Sequence, residues 1–259
     1  MAPGRRAGVA AVGARAGQII LVSGGGWHYR GSADRATDDY LLRHTRGRTP
    51  RICLVAAAQG DDGRQHEQFV HHMGHRGLLS SAPVFSLLPG AGDPRERLLD
   101  ADLIYIVGGN TGALAGILRE LDWLPVLRAA LRGGATIAAV CAGALVACEQ
   151  MVFRWANGLG APRAAPGLGL IRASLSCHAD LLPEQTAAHE AAVAAGDVPA
   201  GWALEDGAML RLTPRGRLLE AVTSRPGARA AHLSARGGGA VRRELELRVL
   251  SAGSAGTAP

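Results

Sequence analysis

Short, nearly continuous apolar runs recur along the chain, separated by stretches in which apolar residues return every three or four positions. The runs are QIILVS (18–23), RICLVAAA (51–58), SAPVFSLL (81–88), LIYIVGG (103–109) and ATIAAV (135–140). Each has the length of a strand, and the lack of alternation says that both of its faces are buried. Between them, Ala33 to Arg46, GDDGRQHEQFVHHMG and TGALAGILRELDWLPVLRAALRGG read as helices. The second is entered through Asp61 and Asp62 and closed near Gly74 or Gly77. This alternation predicts an α/β fold, a parallel sheet with helices on both faces in a three-layer sandwich. Past Gly158 the pattern loosens. RLLEAV, RAAHLSA and ELELRVL alternate as shorter strands, antiparallel and at an edge. The expected organisation is a single domain over 18–250, with 1–17 a flexible N-terminal tail and 251–259 a disordered one.

Composition narrows the chemistry. The chain has 259 residues, 47% of them hydrophobic, enough for one large core. All 28 basic residues are arginine, so Schiff-base lysines, Ser–Lys dyads and a P-loop lysine are excluded. The net charge is +6, but the arginines are scattered and carry no interleaved aromatics; the densest run is Arg43, Arg46, Arg48 and Arg51. A solvated surface is expected, with no nucleic-acid partner. Cys53, Cys141, Cys148 and Cys177 form neither a disulfide framework nor a C-x-x-C zinc site, and no metal or other cofactor is expected. No apolar run is long enough for a membrane span, so a cytoplasmic protein with reduced thiols is expected.

Three turns fall at the carboxyl ends of the predicted strands, where parallel sheets place their ligands: SGGG after the first strand, GGNTG after LIYIV, and Cys141 after ATIAAV. Cys141 stands in A-x-C-x-G between an apolar strand and a helical stretch, AGALVACEQ, which is the pattern of a nucleophile elbow. The helix start favours a thiolate there. The amide of Ala142, with that of Gly108 or Gly109, can face an oxyanion. The plainer alternative is a small buried cysteine.

A thiol nucleophile needs a base, and nine histidines compete for the role. His66, His71, His72 and His75 share one helical stretch and read as a solvated face. His232 sits in an alternating strand. His178 follows GLGLIRASLSC and opens the loop HADLLPEQ, a fitting place for a base.

The stretch IVGGNTGALAGILRELDWLPVLRAALRGGATIAAVCAGAL resembles the core of the peptidase E family, aspartyl dipeptidases related to cyanophycinases. The resemblance implies a flavodoxin-like, class I glutamine amidotransferase-like fold. It also implies hydrolysis of a small peptide or amino-acid-derived substrate, with a homodimer left open. GGNT matches at Gly108–Thr111 and A-G at Ala142–Gly143, while cysteine replaces the family's serine at Cys141. The family's catalytic histidine falls at His178. Its acid, some fifteen positions after the nucleophile, would fall near Ala156. Asn157 is the nearest group able to orient His178, ahead of Asp180 and Glu149. Asn110, Thr111 and Arg154 are the candidate substrate contacts. Dipeptidase members carry an arginine early in the helix after the histidine. QTAAHEAA has none around Thr186–Ala187, so a specificity other than for Asp-X dipeptides is expected.

Three other readings stay open. A glutaminase or PfpI-like cysteine hydrolase shares the elbow. A dienelactone-hydrolase-like enzyme would use Cys141, Asp206 and His232. A non-catalytic ligand binder or thiol sensor would tolerate the missing acid.

Overall fold

The structure is a computed structural model that describes residues 16–27, 34–84, 92–154 and 160–251. Of the tails expected at 1–17 and 251–259, residues 1–15 and 252–259 lie outside the described residues, as does the candidate Asn157. The first half of the chain alternates as its hydrophobic pattern requires. The elements are β1 (Gln18–Val22), α1 (Arg35–Arg43), β2 (Arg51–Val55), α2 (Gly63–Met73), β3 (Leu78–Ser81), α3 (Pro94–Asp100), β4 (Leu103–Ile106), α4 (Thr111–Glu120), α5 (Trp123–Arg132), β5 (Thr136–Val140) and α6 (Ala142–Ala147). Asp34, Asp62, Asp93 and Asn110 cap α1, α2, α3 and α4, each side chain accepting an amide of the first turn. β3 begins earlier than SAPVFSLL suggests, and residues 85–91 are outside the description.

The second half is strand-rich: β6 (Cys148–Arg154), β7 (Pro162–Pro166), β8 (Ile171–Ser176), α7 (Pro183–Ala195), β9 (Gly201–Leu204), β10 (Ala208–Leu212), β11 (Leu218–Thr223), β12 (Ala230–Arg236), β13 (Gly239–Glu244) and β14 (Arg248–Val249). Two sheets result. The larger runs β14-β11-β10-β1-β5-β4-β2-β3, and its β1, β5, β4, β2 and β3 are parallel. β10 and β11 add antiparallel to its β1 edge, as expected for RLLEAV. ELELRVL departs from the expectation, since only its Arg248–Val249 is a strand, β14, and it pairs parallel with β11. RAAHLSA departs too, as β12 of a second sheet, β13-β12-β9-β8-β6-β7.

Alternate residues of the parallel strands divide between two cores. Ile19, Leu21, Val55, Ile104, Ile106 and Ile137 pack under α3 to α6, and Ile20, Val22, Leu54, Leu103, Tyr105 and Val140 pack under α1 and α2. This division is why the strands read as unbroken apolar runs, each buried Ile, Leu or Val side chain contributing about 1.5–3 kcal/mol. The first core continues into the second sheet through Met151, Phe153, Ile171, Leu175 and Leu204. α7 covers that sheet's other face with Val193. AGALVACEQ is helical only as far as Ala147. From Cys148 the chain extends as β6 instead, where Met151 and Phe153 reach the core.

Candidate active site

β5 runs parallel between β1 and β4, so its last residue, Val140, delivers the chain to the middle of the carboxyl edge. Cys141 turns there with φ 54° and ψ −113°, a backbone state costly for a side-chain-bearing residue, and α6 begins at the next residue. Its amide is fixed by the Val22 carbonyl at 2.9 Å, and its carbonyl accepts from Leu145 at 3.1 Å. The small residues around it are now explained by space. A Cβ on Gly143 would come within 2.5 Å of the Ile106 carbonyl oxygen, so α6 could not lie on β4. A Cβ on Gly108 would come within 2.7 Å of the Cys141 Cβ and 3.1 Å of its Sγ. Gly108 therefore flanks the thiol directly. The amides of Gly109 and Ala142 have no backbone acceptor among the described residues.

His178 comes from the other sheet, two residues beyond β8. Its Nε2 lies 3.0 Å from Cys141 Sγ. Its Nδ1 is paired with a carboxylate oxygen of Asp206, whose side chain is 1% exposed. Asp206 stands two residues beyond β9, which pairs parallel with β8, so the two strand ends lie side by side. Burial by itself would lower the His178 pKa. The Asp206 hydrogen bond and the Cys141 contact, with the charges of both, outweigh it and raise the pKa to about 10. The ring is thus held as an imidazolium against the sulfur. The other thiols differ. Burial pushes Cys53 up to about 11 and Cys148 to about 12, and Cys177 well above its ordinary value. Buried, protonated thiols are poor nucleophiles, which leaves half-buried Cys141 as the one placed to react.

The remaining sequence candidates separate. Asp206 occupies the place foreseen for Asn157, and the reason lies in strand order: the β8–β9 pairing brings in a carboxylate 28 residues downstream of His178. Its local signal was LEDG, a polar turn directly after an apolar strand. The sequence offered Asp206 only with His232, and it did not offer Ser23 at all. The Ser23 hydroxyl accepts the His178 amide at 2.8 Å and donates to the Leu204 carbonyl at 2.9 Å. Asn110 caps α4 through Ala113 N at 2.9 Å, and Thr111 opens that helix. Arg154 pairs with Glu184 and with the Gly160 carbonyl at 3.2 Å. Glu149 faces Arg172 at 3.8 Å. His232 lies edge-on to Trp202, and Asp206 is engaged by His178 instead, which removes the dienelactone-hydrolase-like grouping. Among the described residues no three His, Cys, Asp or Glu side chains gather into a metal site, and no helix is long and apolar enough to cross a membrane.

Residues 19–217 match the sequence profile of Peptidase family S51. A protein of Bacillus subtilis (strain 168), described as uncharacterized peptidase YgaJ, is 29% identical over 215 residues, or 82% of this chain and 90% of that protein. The crystal structure of a peptidase from an acI-B1 Actinobacterium superposes with a TM-score of 0.64 at 17% identity, over 91% of this chain and 96% of that one. A putative peptidase E protein from Listeria monocytogenes EGD-e gives 0.50 at 13% identity, over 89% and 100%. The fold is that of peptidase E, of the class I glutamine amidotransferase-like type.

Proposed function

The chain belongs to peptidase family S51, a family of peptide hydrolases, and we propose that it works as a cysteine peptidase with a Cys141–His178–Asp206 triad. The observation that supports this reading is one imidazole ring with Cys141 Sγ 3.0 Å from Nε2 and Asp206 on Nδ1. Asp206 fixes the ring and balances its charge, so His178 holds the thiol proton on Nε2 as Sγ attacks. Sγ attacks the carbonyl carbon, and the C=O electron pair moves onto oxygen between the amides of Ala142 and Gly109. When the C=O bond re-forms, the C–N bond breaks and Nε2 passes its proton to the leaving amine. The resulting thioester is opened by water or by a second amine, and the latter route gives acyl transfer.

The substrate is a small peptide or amino-acid conjugate, with Asn110 and Thr111 beside the Gly108–Gly109 turn as its contacts. Arg154 is engaged by Glu184, which supports a specificity other than for Asp-X dipeptides. Four free cysteines fit a reducing compartment such as the cytoplasm. The test is a screen of N-terminally varied dipeptides, isopeptides and γ-glutamyl amides against the native chain and Cys141→Ala. Turnover is expected in the native chain and a loss of about 10³-fold or more in the variant. Equal turnover in both would reduce the thiol to packing.

A further inference from the structure

Nucleophile and base sit on different sheets. Cys141 leaves β5 of the larger sheet, whereas His178 leaves β8 of the smaller one, and Asp206 lies on the short link from β9 to β10 where the chain passes between the sheets. A triad divided in this way works only if something fixes one sheet end against the other. We propose that Asp180 and Arg225 are positioning residues that lock the His178–Asp206 pair in register with Cys141. The proposal rests on the triad reading above.

The two turns clasp each other in both directions. The Asp206 side chain holds the His178 ring, while Asp180 Oδ1 accepts the Asp206 amide at 3.1 Å. Between these contacts, the Ala179 amide donates to the Leu204 carbonyl at 2.9 Å. Asp180 Oδ2 then accepts from Arg225 Nη2 at 2.7 Å. Arg225 follows β11, a strand of the larger sheet, and its amide donates to Thr223 Oγ1 at 3.0 Å. The chain of contacts therefore runs from the acid of one sheet to the backbone of the other. Ser23, just past β1, makes another such crossing.

Two features say that this clasp acts on geometry. His178 has φ 57°, a conformation that persists only when its surroundings over-determine it. Asp206 is fully buried, so an Asp206 amide without Asp180 would lack its acceptor and the turn would rotate to find another. The Asp180–Arg225 pair itself is partly solvated, with 19% and 44% side-chain exposure, and such pairs add little to stability. Its loss is therefore expected to show at the site before it shows in the melting temperature. Arg225 also sets off the negative charge that Asp180 brings beside Asp206. Burial raises the Asp180 pKa, but the Arg225 hydrogen bond and the Asp206 amide lower it further, so it stays ionised.

The experiment is the rate of Cys141 alkylation by iodoacetamide across pH, in the full chain, for the native protein, Asp180→Ala, Asp180→Asn and Arg225→Gln. This readout follows the thiolate–imidazolium pair and needs no substrate, so it stands even if no peptide turnover is found. Asp180→Ala is expected to slow labelling near pH 6 by about tenfold to a hundredfold and to steepen its fall toward acid. Asp180→Asn keeps a carbonyl for the Asp206 amide but turns a donor toward Arg225, so it is expected to recover only part of the rate. Arg225→Gln likewise keeps the acceptor and loses the ion pair, and is expected to match Asp180→Asn, with melting within about 3 °C of native. A native pH profile in Asp180→Ala overturns the proposal. So does an Asp180→Asn variant as impaired as the alanine, or a melting loss that accounts for the whole effect.

Discussion

The loop carrying His178 and the helix carrying His189 are joined to the same strand, and burial acts on both imidazoles in the same direction. They end in opposite states. His189 is fully buried in α7, with Nε2 2.7 Å from Ser174 Oγ and Nδ1 3.0 Å from Ser176 Oγ. Ser174 gives its one proton to the Pro199 carbonyl at 2.6 Å. The Nε2–H must therefore donate to Ser174, and Nδ1 accepts from Ser176. Every polar atom is satisfied with the ring neutral, and burial lowers its pKa to about 4. At His178 the partners are a carboxylate and a thiol, and the pKa rises to about 10. The charge of the partner, more than the depth of burial, separates the neutral ring of His189 from the proton-holding ring of His178.

Giving His178 the kind of partner His189 has is the most severe way to break this contrast. Asp206→Asn puts a neutral amide on Nδ1 and favours the wrong tautomer. Peptide turnover is expected to fall about 10²- to 10⁴-fold in kcat/KM, and Cys141 labelling near pH 6 should fall with it. Near-native turnover would place the acid elsewhere and return Asn157 to the role.

The opposite change is expected to be felt in folding. His189→Ala empties a buried site and strips Ser174 and Ser176 of their partner, at a cost of about 2–4 kcal/mol in urea unfolding. Cys141 labelling by iodoacetamide at 25 °C should stay within about twofold of native. If labelling collapsed while the variant remained folded, His189 would belong to the site.

The same contrast explains what the sequence could and could not show. Apolar strands with both faces buried announce themselves, so β1, β2, β4 and β5 and the Cys141 turn were legible. GGNT and His178 were legible through the resemblance. Asp206 was legible only beside His232, in the dienelactone-hydrolase-like grouping; its pairing with His178 was hidden, because that depends on β9 lying beside β8, and short strands with a mixed pattern do not reveal their neighbours. The second sheet escaped for that reason too: β6 reads as the tail of α6, and β12 as one more edge strand. Ser23 and Asp180 act by joining distant backbone groups, which leaves no local pattern at all.

The mildest consequence is a pair of opposite slopes of stability against pH. The folded pKa of His189, about 4, lies below its ordinary 6.5. Between those values the unfolded chain takes up a proton that the folded chain refuses. Stability is therefore lost as pH falls from 6.5 toward 4, by at most about 3 kcal/mol. For His178 the folded pKa is the higher one, about 10. Its contribution is complete below 6.5 and is lost as pH rises through 10. Neither window is clear. Cys53, Cys148 and Cys177 are raised above an ordinary 9.0, so near pH 9 and above they lose stability in the same direction as His178. Buried Asp38 is raised to about 7 and slopes against His189 in the acid window. The measurement is thus a difference between urea unfolding curves of the native chain and each variant. Subtracting His189→Gln should leave a term confined to pH 4–6.5 that falls toward acid. Subtracting His178→Gln should leave one confined to pH 6.5–10 that falls toward base. Two terms of the same sign would mean that both rings answer to burial alone and that Asp206 does not hold the His178 proton.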